Sequence, residues 1–130
     1  SLSEIFPQAI FVHVFRDPRD VIASFIKQTW MPNEIEKVAR IYQDLMSDIL
    51  IKTAASTNCY HLRFENLIED KDAELLQLCD YLEIEYVENM KQLKLGSGNI
   101  GRYKLDFDKD AINYLNNTLS PQIEALGYAK

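Results

Sequence analysis

Two short apolar runs, one long amphipathic stripe and several shorter helical patterns set the order of elements along this chain. Phe11, Val12, Val14 and Phe15 form a run rich in strand formers around His13. Such a run suits a parallel strand covered on both faces. Asp17-Pro18 then starts a helix. Asp17 is a good N-cap, Pro18 suits the first helical position, and Asp20 favours the positive helix end. The helical pattern runs from Val21 to about Trp30, and Trp30-Met-Pro-Asn33 breaks it. Arg16 is thereby predicted at the carboxyl end of a strand, beside a helix N-terminus. Open α/β sheets bind ligands there, and helix starts attract anions. Ser24 lies in the first turns of the same helix and offers a hydroxyl to that place.

Asn33 is the expected cap of the next helix. In it Ile35, Val38, Tyr42, Leu45 and Ile49 recur at steps of three and four, a stripe that runs to about Ala55 and reads as core packing. Ser56-Thr-Asn58 is a turn. Cys59 to Phe64 reads as a second strand, with Tyr60, Leu62 and Phe64 alternating against His61 and Arg63, a pattern of less complete burial than the first strand. Two such runs separated by a long helical connection predict a parallel pair. Asp70 caps a helix over Lys71 to Leu82 whose inner face carries Leu75, Leu78, Cys79 and Leu82; a short helix is expected within Ile84 to Leu95. Asp106 or Asp108 starts a last helix through Leu119, Ser120-Pro121 restarts or kinks it, and Gly127 ends it.

Charge narrows the partners. A net charge of −6 argues against broad nucleic-acid binding, which needs a basic face. It leaves room for one anionic nucleotide, since a local arginine and helix amides suffice. Apolar residues make up 47% and charged residues 26% of 130 residues, ordinary for one soluble globular domain over residues 1–130. Cys59 and Cys79 lack metal-ligand spacing and read as free thiols in a reducing, cytoplasmic compartment. No apolar run approaches membrane-spanning length and no signal peptide is visible, so no membrane partner is expected. His13 reads as a hydrogen-bonded core residue, His61 as outward-facing or paired with carboxylates, and Arg19, Lys104 and Arg63 as surface charges, with Arg19 a secondary phosphate contact at most. No metal cluster and no catalytic ordering of Ser, His and Asp stands out, so no catalytic residue is assigned.

Gly96-Ser-Gly-Asn-Ile-Gly101 holds three of the chain's four glycines and matches Gly-x-Gly-x-x-Gly. The context of a dinucleotide fingerprint is lacking: no strand leads in and no helix is expected immediately after it. A loop whose amides meet a phosphate, with Arg102 as its cation, fits better.

Arg16-Asp-Pro-Arg-Asp-Val-x-x-Ser24 closely resembles the 3′-phosphate-binding motif of the PAPS-dependent sulfotransferases, whose sulfuryl donor is 3′-phosphoadenosine 5′-phosphosulfate. The resemblance implies that Arg16 and Ser24 hold that phosphate; a guanidinium grips it through two parallel hydrogen bonds and a serine adds a third. Phe64-Glu-Asn-Leu67 resembles the family's Tyr-Glu-Asp-Leu segment, which places a ring near the adenine. Asn99-Ile-Gly-Arg-Tyr103 resembles its Ile-Gly-Arg-Trp loop, and Ala125-Leu-Gly-Tyr128 the close of its domain. The implied cofactor-binding set is Arg16, Ser24, Phe64, Ser97, Gly98, Gly101 and Arg102, and the cofactor PAPS or its product adenosine 3′,5′-bisphosphate. The implied fold is α/β, a partial P-loop-type sulfotransferase fold with few parallel strands and flanking helices.

The resemblance covers Ile5 to Tyr128 but only the C-terminal half of a family domain. No Gly-x-x-x-x-Gly-Lys-Ser/Thr loop for the 5′-phosphosulfate precedes residue 11. The expectation is therefore a 3′-phosphoadenosine-binding half that serves sulfuryl transfer to a hydroxyl or amine, inactive alone. The alternative is a non-catalytic, self-associating module, and a nucleotide-kinase-like protein is the third reading. A homodimer is expected because Phe11–Phe15 is too apolar for an open sheet edge.

Overall fold

The computed structural model describes residues 2–130. The order of elements is α1 (Leu2–Ile5), β1 (Phe11–Phe15), α2 (Pro18–Phe25), α3 (Ile35–Ala54), β2 (Cys59–Arg63), α4 (Phe64–Glu69), α5 (Lys71–Leu82), α6 (Glu88–Lys91), α7 (Tyr103–Asp106), α8 (Lys109–Thr118) and α9 (Ser120–Ala125). They divide into a sheet unit, Ser1–Phe15 with Ala55–Gly98, and a helical unit, Arg16–Ala54 with Asn99–Lys130.

In the sheet unit β1 and β2 pair in parallel, Phe11 opposite Cys59 through Phe15 opposite Arg63. A parallel pair needs a long connection, and the chain between these strands supplies one. Helices α4 and α5 pack on β2 and on each other. Among the described residues there, Leu62 and Cys79, each 4% exposed, are the buried ones. The expected burial order is thus reversed. Val12 and Val14 are 40% and 53% exposed, so β1 is not covered on both faces, and β2 is the better buried strand. The helices lie against β2, and an apolar composition does not record which strand receives them. Phe64 leaves the strand and opens α4, a helix the alternating pattern concealed. On α5, Leu75, Leu78 and Leu82 are half-buried around Cys79 as the spacing predicts. Asp70 caps this helix by accepting from the Ala73 amide at 3.2 Å. Lys71 Nζ donates to the carbonyls of Met90, Lys91 and Leu93, satisfying the end of α6. Both cysteines are free.

His13 and His61 face each other across the strands with their Nδ1 atoms 3.2 Å apart. One ring must donate and the other accept, so two charged imidazoles cannot share this contact. His61 is exposed, the first of its two expected readings, and its partner is a histidine; no carboxylate among the described residues pairs with it. Burial, then the charge of His61, push the His13 pKa below its usual 6.5. The unfolded chain then takes up a proton that the folded one resists. The resulting stability is complete above the unfolded pKa and is lost as pH falls through the window below it. The melting temperature is expected to drop between about pH 7 and pH 5, and His13→Gln to flatten that drop. Thermal melts across pH check this, and parallel wild-type and variant curves would contradict it.

In the helical unit α2 packs on α3, α7 and α8, with α3 also on α8. The core is Ile22, Val38, Ala39, Leu115, Leu119 and Ile123, all at most 1% exposed. Each large member contributes about 1.5–3 kcal/mol by leaving water. On α3 the buried face is Val38, Ala39, Tyr42 and Met46, and Leu45 is 51% exposed. Both Leu45 and Met46 keep helical spacing from Val38 and Tyr42; the partner helices select Met46. α2 ends at Phe25, earlier than its pattern suggests, and single turn bonds carry the chain on to Met31. Asp108, and not Asp106, caps α8, accepting from the Ala111 amide at 2.8 Å.

Among the described residues no helix is long and apolar enough to cross a membrane. No group of three or more His, Cys, Asp or Glu among them is placed to hold a metal ion.

Candidate functional site

The turn after β1 is built by side chains of its own motif. Asp17 Oδ1 accepts from the Arg19 amide at 2.9 Å, and Pro18 takes the first helical position. This fixes the start of α2 immediately after Arg16. Arg19 is not a surface charge and does not face a phosphate. It is 3% exposed and holds Asp17 through Nε at 3.0 Å and a terminal nitrogen at 2.7 Å. Its remaining bonds go to Asn116 Oδ1 and the Ala129 carbonyl, and its guanidinium lies 4.5 Å from the Tyr103 ring centroid. The resemblance therefore separates into two arginines with two tasks: Arg19 closes the helical unit, and Arg16 faces a cavity.

That cavity has a volume of about 130 Å³ and is lined by Arg16, Ser24, Lys27, Arg102, Asp20 and Asp106, with Asn99, Ala23 and Gln28. Arg16 donates to the Asn99 carbonyl at 2.8 Å and stands 3.6 Å from Asp20 Oδ2. Asn99 adopts a left-handed backbone, φ 51°, which suits an asparagine in a tight loop. Asp20 is 2% exposed and accepts the amides of Gly101 at 2.7 Å and Tyr103 at 3.0 Å. The end of the glycine loop is thus tied to the first turn of α2, and a short helix, α7, starts two residues after Gly101. The sequence pattern placed no helix there. The Gly101 amide, expected to meet a phosphate, is spent on Asp20. Asp106 accepts from Lys27 Nζ at 2.5 Å and from Arg102 Nε at 2.9 Å. These two donors, Lys27 first, hold the Asp106 carboxyl below its usual pKa.

Of the residues singled out in the sequence, Arg16, Ser24 and Arg102 line this one cavity. Phe64, Ser97 and Gly98 belong to the sheet unit. Gly98 has φ 68°, and a Cβ there would stand 2.7 Å from Phe64 Cε1 and 3.0 Å from Ile68 Cγ1. Only glycine fits so close to the ring in that conformation. Ser97 is exposed. Sequence reasoning missed Asp20, Lys27, Asn99 and Asp106 as lining groups. Two carried a readable signal: Asp20 lies four residues after Arg16 and Lys27 three after Ser24, near spacings across the start and the end of α2. Asn99 and Asp106 reach the cavity through loop and tertiary geometry, which no local pattern records.

Arginines, a hydroxyl and a lysine around one cavity are groups that can hold a tetrahedral anion by charge-assisted hydrogen bonds. Comparison with known proteins bears on the family and the fold. A model of the sulfotransferase family matches residues 1–88, which contain β1, Arg16, Ser24 and Phe64; the glycine loop lies beyond the match. Two curated relatives are the omega-hydroxy-beta-dihydromenaquinone-9 sulfotransferases Stf3 of Mycobacterium bovis and Mycobacterium tuberculosis. Each is 34% identical over 95 residues, covering 62% of this chain and 24% of its own length. The chain thus spans about a quarter of the length of the curated relatives it matches. The solved sulfotransferase domain from the curacin biosynthetic pathway matches with a TM-score of 0.66 at 16% identity, over 92% of this chain and 54% of that one. That match shows a shared α/β fold with a small parallel sheet.

Proposed function

This chain belongs to the sulfotransferase family, and we propose that its part in that chemistry is to anchor the 3′-phosphate of PAPS or of adenosine 3′,5′-bisphosphate. The observation that carries this reading is the convergence of Arg16, Ser24 and Arg102 on one cavity beside the start of α2. Arg16 offers a planar fork to two phosphate oxygens, Ser24 a hydroxyl, and Arg102 the terminal nitrogens that Asp106 does not use. Asp20 keeps the loop and Arg16 in register without touching the anion. When bound, PAPS supplies the sulfuryl group that an acceptor hydroxyl or amine takes; the residues here bind and orient the donor.

The test is titration of the ¹⁵N-labelled chain with adenosine 3′,5′-bisphosphate. The largest amide shifts are expected at Ser24, Gly101, Arg102 and Tyr103. Shifts confined to α5 and α6, or none, would contradict the reading.

We further propose that these 130 residues bind the donor without completing transfer. The sequence has no lysine-bearing phosphate loop, and stabilising a transferring group needs such preorganised donors. Arg16-dependent turnover of labelled PAPS by the pure chain would contradict this. A second reading, self-association, is favoured by the exposed valines of β1, a strand whose partner among the described residues is β2 alone. A two-fold dimer is expected in sedimentation at micromolar concentration, and a clean monomer would defeat it.

A further inference from the structure

Lys27 follows Ser24 by three residues and stands in the turn that continues α2, its amide donating to the Ser24 carbonyl at 3.3 Å. Its side chain is 52% exposed, it lines the same cavity as Arg16, Ser24 and Arg102, and its Nζ meets Asp106 Oδ2. Charge decides what it does there. The guanidinium cations of Arg16 and Arg102 are offset by the carboxylates of Asp20 and Asp106. Without Lys27 the lining is formally neutral, and a phosphate dianion is held there by local hydrogen bonds alone. With Lys27 the lining is net positive. The geometry also keeps the ammonium in place. Asp106 uses one oxygen for Lys27 and the other for Arg102 Nε, so a single carboxylate holds both cations beside the cavity. An ammonium has three donors, and Asp106 occupies one, which leaves two to meet an anion.

We infer that Lys27 is a third cation of the phosphate site, a specificity residue for the dianionic 3′-phosphate, and that Asp106 is the positioning residue for Lys27 and Arg102. This rests on the 3′-phosphate reading above. The plain alternative is a surface tie between α2 and α7, which would affect stability alone.

The experiment is calorimetric titration of wild type, Lys27→Met, Lys27→Arg and Asp106→Asn chains with adenosine 3′,5′-bisphosphate at two salt concentrations, alongside thermal melts. Lys27→Met is expected to bind about tenfold more weakly, with a shallower salt dependence and a melting temperature near wild type. Lys27→Arg is expected to retain most of the affinity, and Asp106→Asn to lose part of it as both cations lose their shared anchor. Adenosine 5′-monophosphate, which lacks the 3′-phosphate, is expected to distinguish none of these chains. A Lys27→Met chain within about twofold of wild type overturns the assignment of Lys27. If Arg16→Ala still abolishes binding in that case, the 3′-phosphate reading stands without it. Unchanged affinity in Asp106→Asn overturns the positioning role, and a wild-type chain that binds no bisphosphate overturns both the inference and the reading it rests on.

Discussion

Replacing Arg19 by methionine is expected to cost about 3–5 kcal/mol and to lower the melting temperature by about 10 °C or more. Arg19 is 3% exposed, and its partner Asp17 is 9% exposed. Inside the unit their pairing is favourable because the guanidinium fork reaches both carboxylate oxygens, at 3.0 and 2.7 Å. Methionine matches the length of the stem but removes every donor. Asp17 would then be a largely buried carboxylate without its main cation, and the Ala129 carbonyl would lose its donor. Arg19→Lys is expected to fall between the two. It keeps the charge yet cannot reach Asp17, Asn116 and Ala129 together, since an ammonium lacks the planar fork. Circular-dichroism melts of the three chains check this. A methionine variant within about 1 kcal/mol of wild type would show that the buried pair contributes little here.

Asp20→Ala is expected to cost about 3 kcal/mol and, in addition, to remove nucleotide binding. The carboxylate accepts two backbone amides, from Gly101 and Tyr103, and faces Arg16 at 3.6 Å. Alanine leaves those amides without their acceptor and detaches the loop that carries Arg102. Asp20→Asn keeps one acceptor oxygen, so it is expected to recover about half of the stability but to leave Arg16 without its neighbouring charge. Chemical denaturation gives the stability, and faster hydrogen exchange at Gly101 and Tyr103 gives the loop. An alanine variant that keeps slow exchange at both amides would contradict the role assigned to Asp20.

The sequence exposed local features well and tertiary selection poorly. β1, β2 and their parallel pairing were legible, because strand formers, turn residues and a long connection all act locally or through chain geometry. The Asp17-Pro18 helix start and the Asp70 cap were legible for the same reason, and Asp108 as one of two candidate caps. The burial of β1 was not, since Val12 and Val14 carry the same signal whether or not a helix covers them. Arg19 was misread as a surface charge because its burial depends on Asn116, Tyr103 and Ala129, all far along the chain. In the site, Arg16 and Ser24 came from strand-end and helix-start placement and from the resemblance, and Arg102 from the glycine loop; the three line one cavity. The lysine and the two carboxylates that set the charge of that cavity were not legible as site residues: Asp20 reads only as a helix-start residue, Asp106 only as one of two candidate helix starts, and Lys27 carries no motif of its own.

The central claim is that the cavity recognises a 3′-phosphate. Calorimetric titration of wild type and Arg16→Ala with adenosine 3′,5′-bisphosphate and with adenosine 5′-monophosphate decides it. The expected result is saturable binding of the bisphosphate by wild type, at least about tenfold tighter than the monophosphate, since one charged contact set is added. Arg16→Ala is expected to keep its cooperative melt and to lose the bisphosphate signal. Equal affinities for the two nucleotides, or bisphosphate binding that survives in a folded Arg16→Ala chain, would contradict it.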